Sequence, residues 1–384
     1  MATPESGAGV AARKEQQQDP HRTLHSEDGA LRGEHPGRSR DPLIKVAGLA
    51  WLEFEKPDLG KAQRFLTDFG FTVAHRAPDA LTLRGRLAGA PCLVVRSGPK
   101  PRFVGAAFQA AAREDLDRLA RSSGGAVTAY LGGHAVALRD PSGFPVRVTY
   151  GVPELPALSE RAPLPLNFGP ELARVNTTQR PEQRPAEIER LGHVVLGTTR
   201  FLAALNWYLD TLGLIVSDFL YLDGQRKRGP VMAFIRCDQG SVPSDHHTLA
   251  MLLAPETDYV HSAYQLTDLD EVAASGQYLR EQGYRHSWGI GRHIQGSQIF
   301  DYWRDPDRLM FEHYADGDVF DCSLEPGWAP LSVSGLAQWG PRATAEFTGA
   351  REPGTVLAAI KALREKGNEV DLPALRGLVK AMSS

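Results

Sequence analysis

The sequence predicts an α+β fold of four βαβββ modules paired into two domains, each a curved mixed sheet with helices outside. Three observations predict it. Two segments of the second half share one order: strand, helix, three strands. Both of their helices run into a glycine, Gly213 or Gly283, the residue that closes a helix in the left-handed conformation. The first half repeats the order more faintly.

Residues 1–40 are polar, charged and poor in branched apolar side chains ("ARKEQQQDP"), which predicts a disordered arm. Residues 41–151 form the N-terminal two-module domain. In it "LIKVAGLAWLEF" leads into the helix "LGKAQRFLTDFG", and "RFVGAAFQAA" leads into "REDLDRLARSSGG" and then "DPSGFPVRVTYG". Residues 152–187 are rich in proline ("GVPELPALSERAPLPLNFGPE") and read as a linker laid along a surface. Residues 188–320 form the C-terminal two-module domain. Its first module is "LGHVVLGT", the helix "TRFLAALNWYLDTLG", then "LIVSDFLYL", "VMAFIRC" and "HTLAMLL". Its second is "YVHSAYQLTD", the helix "LDEVAASGQYLREQG", then "YRHSWGIGRH", "SQIFDYW" and "LMFEHYA". Residues 321–384 are an extension in which "TVLAAIKALREKG" predicts an amphipathic helix, with Val356, Ile360 and Leu363 on one side.

Bulk properties narrow the function. The chain has 384 residues, is 42% hydrophobic and carries a formal charge of −3, so neither nucleic acid nor an anionic membrane is an expected partner. No apolar run is long enough to span a bilayer, and the N-terminus lacks an apolar signal core. Three scattered cysteines make neither a zinc knuckle nor a disulfide framework, and the expected location is the cytoplasm.

The chemistry is carried by residues out of place in apolar strands. His193 lies in "LGHVVLG", His261 in "YVHSAYQL" and Glu312 in "LMFEHYA". Each has a plainer reading: a hydrogen-bonded core histidine, or a carboxylate at a strand surface. A buried carboxylate without a partner is costly, and a metal cation offsets that cost. Two histidines and a carboxylate are the facial set that holds non-haem Fe(II) with positions left open, and Mn(II) accepts the same set. Aligning the two halves puts Leu49 at the place of His193, Gly105 at that of His261 and Arg147 at that of Glu312. The first domain is therefore expected to lack a metal site.

The stretches "LGHVVL", "HHTLAML", "YVHSAYQLTDLDEV", "GRH", "DYWRDP" and "FEHYADGD" resemble the type I extradiol ring-cleaving dioxygenases of the vicinal oxygen chelate superfamily. The resemblance covers about residues 44 to 320, strongly in the second domain and weakly in the first. It implies that a catechol-type aromatic and O₂ meet at Fe(II) held by His193, His261 and Glu312. It implies His247 as the acid–base, with His293 and Tyr302 beside the substrate oxygens. Because neighbours on a strand face opposite ways, His247 is expected to face the cavity and His246 to point away. Met251 and Phe300 are expected to line a dry pocket. His246, His286 and His313 read as structural, and Asp245 and Tyr259 take no role. A glyoxalase-like isomerase or lyase, or a non-catalytic binding protein on the same scaffold, remain alternatives. The particular catechol stays open, and so does the oligomeric state, a homo-oligomer being compatible.

Overall fold

The computed structural model describes residues 28–158, 162–332, 334–348 and 354–383. The first module is β1 (Val46–Lys56), α1 (Leu59–Phe69), β2 (Thr72–Ala77), β3 (Ala80–Arg84) and β4 (Leu93–Ser97). The second is β5 (Arg102–Ala110), α2 (Arg113–Ser123), β6 (Val127–Tyr130), β7 (Gly133–Arg139) and β8 (Pro145–Tyr150). The third is β9 (Arg190–Thr198), α3 (Phe201–Leu212), β10 (Leu214–Leu222), β11 (Met232–Cys237), the short β12 (Ser244–Asp245) and β13 (Leu249–Leu253). The fourth is β14 (Asp258–Gln265), α4 (Leu269–Glu281), β15 (Arg285–His293), β16 (Ile299–Arg304) and β17 (Met310–Ala315). Beyond them lie β18 (Val319–Phe320), β19 (Gly327–Leu331), β20 (Ala337–Trp339), α5 (Gly354–Arg364) and α6 (Leu372–Ser383).

The first two modules share an eight-stranded sheet in the order β2-β3-β4-β1-β5-β8-β7-β6. The last two share a ten-stranded sheet, β19-β10-β11-β13-β9-β14-β17-β16-β15-β20, which repeats that order with one added strand at each edge. In both, the first strands of the paired modules run antiparallel at the centre, β1 against β5 and β9 against β14. Each of these strands also pairs in parallel with the last strand of a module, as β14 does with β17.

Local chemistry sets the helix ends. Asp58 caps α1 by accepting from Lys61 N, and Asp268 caps α4 by accepting from Glu271 N. Gly213 closes α3 at φ 66°. Helix α4 ends one residue earlier than its glycine, at a cap on Gln282, and Gly283 follows at φ 79°. The sheets pack through α1 and β17: Phe311 meets Phe54 and Phe65, and the His313 ring stacks on Phe69 at 3.8 Å while its Nε2 bonds Phe69 O.

The flanking segments depart from expectation in three places. Of the expected disordered arm, residues 1–27 lie outside the described residues, but residues 28–40 pack on the second sheet. Asp28 and Trp328 exchange two backbone hydrogen bonds of 2.8 Å, Val216 N donates to Gly37 O, and Glu34 pairs with Arg226. The extension holds two helices rather than one. On α5 the buried residues are Ala358 and Ala362, while Ile360 and Leu363 are exposed; the side chain of Val356 lies outside the described residues. Before α6, Glu369 accepts from Leu202 N and Ala203 N and so caps α3 from the tail.

Candidate metal centre

Strand register brings the three expected ligands together. On β14, Ala263 stands opposite His193 of β9 on one side and Glu312 of β17 on the other. Side chains two apart on a strand share a face, so His261 projects beside Ala263 on the same face as the other two. Ala263 is small and leaves the space between them open. The ligand atoms of His193, His261 and Glu312 lie within 4.8 Å of one another, and all three residues are buried. Glu312 is 0% exposed.

This cluster is polar but unsatisfied. The nearer carboxylate oxygen of Glu312, Oε2, stands 3.3 Å from His193 Nε2 and 3.1 Å from His261 Nε2. Neither Glu312 oxygen has a hydrogen-bond partner, nor does either ring nitrogen of His261 or the Nδ1 of His193. Burial by itself would raise the Glu312 pKa, yet the facing imidazoles of His193 and His261 hold it well below the ordinary value. Burial pushes His193 down, which favours the neutral imidazole that a metal binds. Orphaned donor atoms converging from three strands fit a divalent cation, and the His, His, carboxylate set fits Fe(II) or Mn(II).

The other expected residues surround this cluster. His247 lies with its ring 3.9 Å from that of His193, and burial drives its pKa well down. On β16, Tyr302 pairs directly with Glu312, and its hydroxyl is 2.8 Å from His293 Nε2. Burial lowers His293 to about 4, and its Nδ1 is held by Leu336 O at 2.7 Å.

A Glyoxalase/Bleomycin resistance protein/Dioxygenase superfamily pattern matches residues 190–313, the segment that holds every one of these side chains. Metapyrocatechase 2 of Cupriavidus necator is 31% identical over 83% of this chain and 95% of its own length. The chain belongs to the extradiol ring-cleaving dioxygenases of the vicinal oxygen chelate superfamily. Solved structures share the fold of this dioxygenase. An Mn(II)-bound glyoxalase from Novosphingobium aromaticivorans superposes at a TM-score of 0.65 with 22% identity, covering 79% of this chain and 94% of that one. A variant of homoprotocatechuate 2,3-dioxygenase from B. fuscum superposes at 0.65 with 19% identity, covering 82% and 84%. No helix among the described residues is long and apolar enough to cross a membrane.

Two expectations about the dioxygenase's pocket need correction. His246 and His247 are not on a strand: they form the bend between β12 and β13. Alternation therefore does not separate them, and their Nδ1 atoms meet at 2.9 Å. Met251 faces the helices, in the core with Leu196 and Leu249, because β13 turns its Ala250 toward the concave side with Val195 and Phe234. Phe300 does line the site, stacked on His293 at 4.1 Å.

Sequence reasoning missed two groups. Phe347 of the extension packs on Tyr302 and Trp288 at 4.9 and 4.6 Å, so the extension walls the site beside the expected oxygen-binding side chains. Nothing in the sequence tied that loop to the second sheet. Asp218 lies buried in the apolar run "LIVSDFLYL", and a carboxylate in such a run was a readable signal. Of the remaining polar residues, Asp245 pairs bidentately with Arg190, His286 binds Asp301, and the Tyr259 hydroxyl is held by Ser262 and Met310 O.

Proposed function

We propose that His193, His261 and Glu312 hold one Fe(II), or Mn(II), on which this dioxygenase opens a catechol-type ring with O₂ beside, not between, the two hydroxyls. The observation that carries the reading is the set of orphaned ligand atoms on one concave face of the second sheet. The chemistry such a metal would supply when bound is a shared site for the ring and O₂ and a route for electron density between them. The chain's own residues then handle protons and orientation. His247, neutral because burial disfavours its cation, takes a proton from a substrate hydroxyl and later returns it. The Tyr302 hydroxyl and His293 Nε2, already bonded to one another, offer hydrogen bonds to substrate or product oxygen. Trp288, Phe300 and Phe347 exclude water from that side, which strengthens these polar contacts.

Anaerobic loading with Fe(II), then a panel of one- and two-ring catechols under ¹⁸O₂, tests the reading. The expected product carries oxygen from O₂ and is cleaved outside the diol. Absence of incorporated oxygen across the panel, or cleavage between the hydroxyls, overturns it.

A further inference from the structure

Behind His247 stands a chain of two buried groups. Asp218 Oδ2 is 2.6 Å from His246 Nε2, and His246 Nδ1 is 2.9 Å from His247 Nδ1. Asp218 and His246 are 3% and 1% exposed. The pairing of β10 with β11 slips between Val216 and Asp218, and a slip of this kind re-aims a side chain. The preceding Ser217 hydroxyl donates to His246 O at 2.6 Å, and Arg236 in turn donates to the Ser217 hydroxyl. Both ring and backbone of His246 are thereby fixed from β10.

The hydrogen-bond direction follows from what each group can do. An ionised carboxylate only accepts, so His246 carries its proton on Nε2. A neutral imidazole has one N–H, which leaves His246 Nδ1 as an acceptor. With His246 neutral, the proton between the two Nδ1 atoms belongs to His247 and His247 Nε2 is left bare, whereas a cationic His246 would donate to His247 Nδ1 instead. A bare nitrogen is what a general base needs. Asp218 Oδ2 is taken up by His246 and the charge of the buried Arg236 lies near, while its second oxygen, Oδ1, has no hydrogen-bond partner.

We propose that Asp218 and His246 are positioning residues that lock His247 in the tautomer with Nδ1 protonated and Nε2 free to take the substrate proton. The inference rests on the reading of His247 as the acid–base. As the substrate O–H bond breaks and the His247 Nε2–H bond forms, the new positive charge is stabilised through His246 by the Asp218 carboxylate.

The direct test is the tautomer itself. Two-bond ¹H–¹⁵N spectra of the full chain, loaded with Zn(II), should show His247 protonated at Nδ1; protonation at Nε2 overturns the proposal whatever the variants do. Kinetics on the Fe(II) enzyme add the second test. Asp218→Leu removes the acceptor but fills the volume, and should keep its metal, substrate affinity and melting temperature while kcat falls roughly 10–100-fold, the range found when the hydrogen-bond partner of a metal-bound histidine is removed. His246→Leu should lose a similar factor. His246→Gln should lose less, because its amide N–H₂ must face Asp218 and its oxygen then accepts from His247. Wild-type kcat in both leucine variants, with His247→Ala inactive, overturns the relay alone. Wild-type kcat in His247→Ala overturns the acid–base reading beneath it.

Discussion

The two sheets present the same frame at the same place, and only one of them leaves it polar and unsatisfied. Register identifies the counterparts. Ala107 pairs with Trp51 and Arg147 in the first sheet as Ala263 pairs with His193 and Glu312 in the second. Gly105, opposite Glu53, then stands for His261, opposite Val195. The counterpart of His193 is therefore Trp51, and Leu49 matches Leu191, two residues from where sequence alignment put it. In the first sheet Glu53 is buried, yet it accepts from Trp51 Nε1, the Tyr130 hydroxyl and Arg147, at 3.2, 2.7 and 3.0 Å. Arg147 also lies over the Tyr130 ring at 4.3 Å, so large side chains occupy the space. A buried carboxylate is thus no sign of a metal. The sign is a buried carboxylate whose oxygens, with two facing imidazoles, lack partners.

The largest contrast should be in metal binding. Glu312→Ala should reduce bound iron from one per chain to less than about a tenth, since two imidazoles alone hold Fe(II) weakly. Arg147→Ala, at the matching position, should leave the stoichiometry unchanged. Stability gives a second readout. Fe(II) or Mn(II) at about 100 times its Kd should raise unfolding free energy by about 2.7 kcal/mol in Arg147→Ala and not in Glu312→Ala. Elemental analysis and thermal shift with and without metal check both. Equal iron in the two variants would break the comparison.

His247 comes next. His247→Ala should keep its iron and its anaerobic catechol affinity, and turnover should fall by about 10²–10⁴. Iron lost with the side chain would make His247 a ligand, and the three-residue site would be wrong.

The first sheet's filled site should matter to folding and not to chemistry. Glu53→Ala strands the Trp51 and Tyr130 donors and unpairs Arg147. The expected cost is about 2–4 kcal/mol, toward the lower end because Arg147 keeps some contact with water. Denaturant unfolding measures the cost, and iron content should not change. A loss of iron would mean that the two sheets are coupled.

What the sequence made legible follows from which contacts are periodic. The four modules, the caps at Asp58 and Asp268 and the glycines at Gly213 and Gly283 are local, so they could be read directly. His193, His261 and Glu312 stood out because each interrupts an apolar strand, and strand pairing alone then aligns them. Two things were not legible for the opposite reason. The pairing of β1 with β5 skips Ala50 just as that of β9 with β14 skips Gly192, so the true counterparts align without a gap; matching Gly48 to Gly192 shifts that alignment by two, and only the strand register shows it. The bend at His246 and His247 breaks the alternation that a continuous strand would impose. Glu53 and Asp218 went unremarked, although each is as misplaced in an apolar run as Glu312; only three-dimensional partners distinguish the three.

The smallest effect belongs to the extension, which the first sheet's site lacks as a wall. Leu336, Ala343 and Phe347 pack against Trp288, Phe300 and Tyr302, and Arg304 ties the segment down through Glu346 at 2.6 Å. Phe347 contributes contact area and exclusion of water but no group that touches a proton or a metal. Phe347→Ala should therefore leave iron content intact. It should raise KM for one-ring catechols by about tenfold, the low end of what one lost methylene contact costs. The same cavity gives a bulkier catechol room, so the ratio of kcat/KM for two-ring to one-ring substrates should rise. Steady-state kinetics on matched substrates decide it. An unchanged ratio would place the ring away from Phe347, on the Val195 and Phe234 side of the metal, and would reassign the substrate wall to the third module.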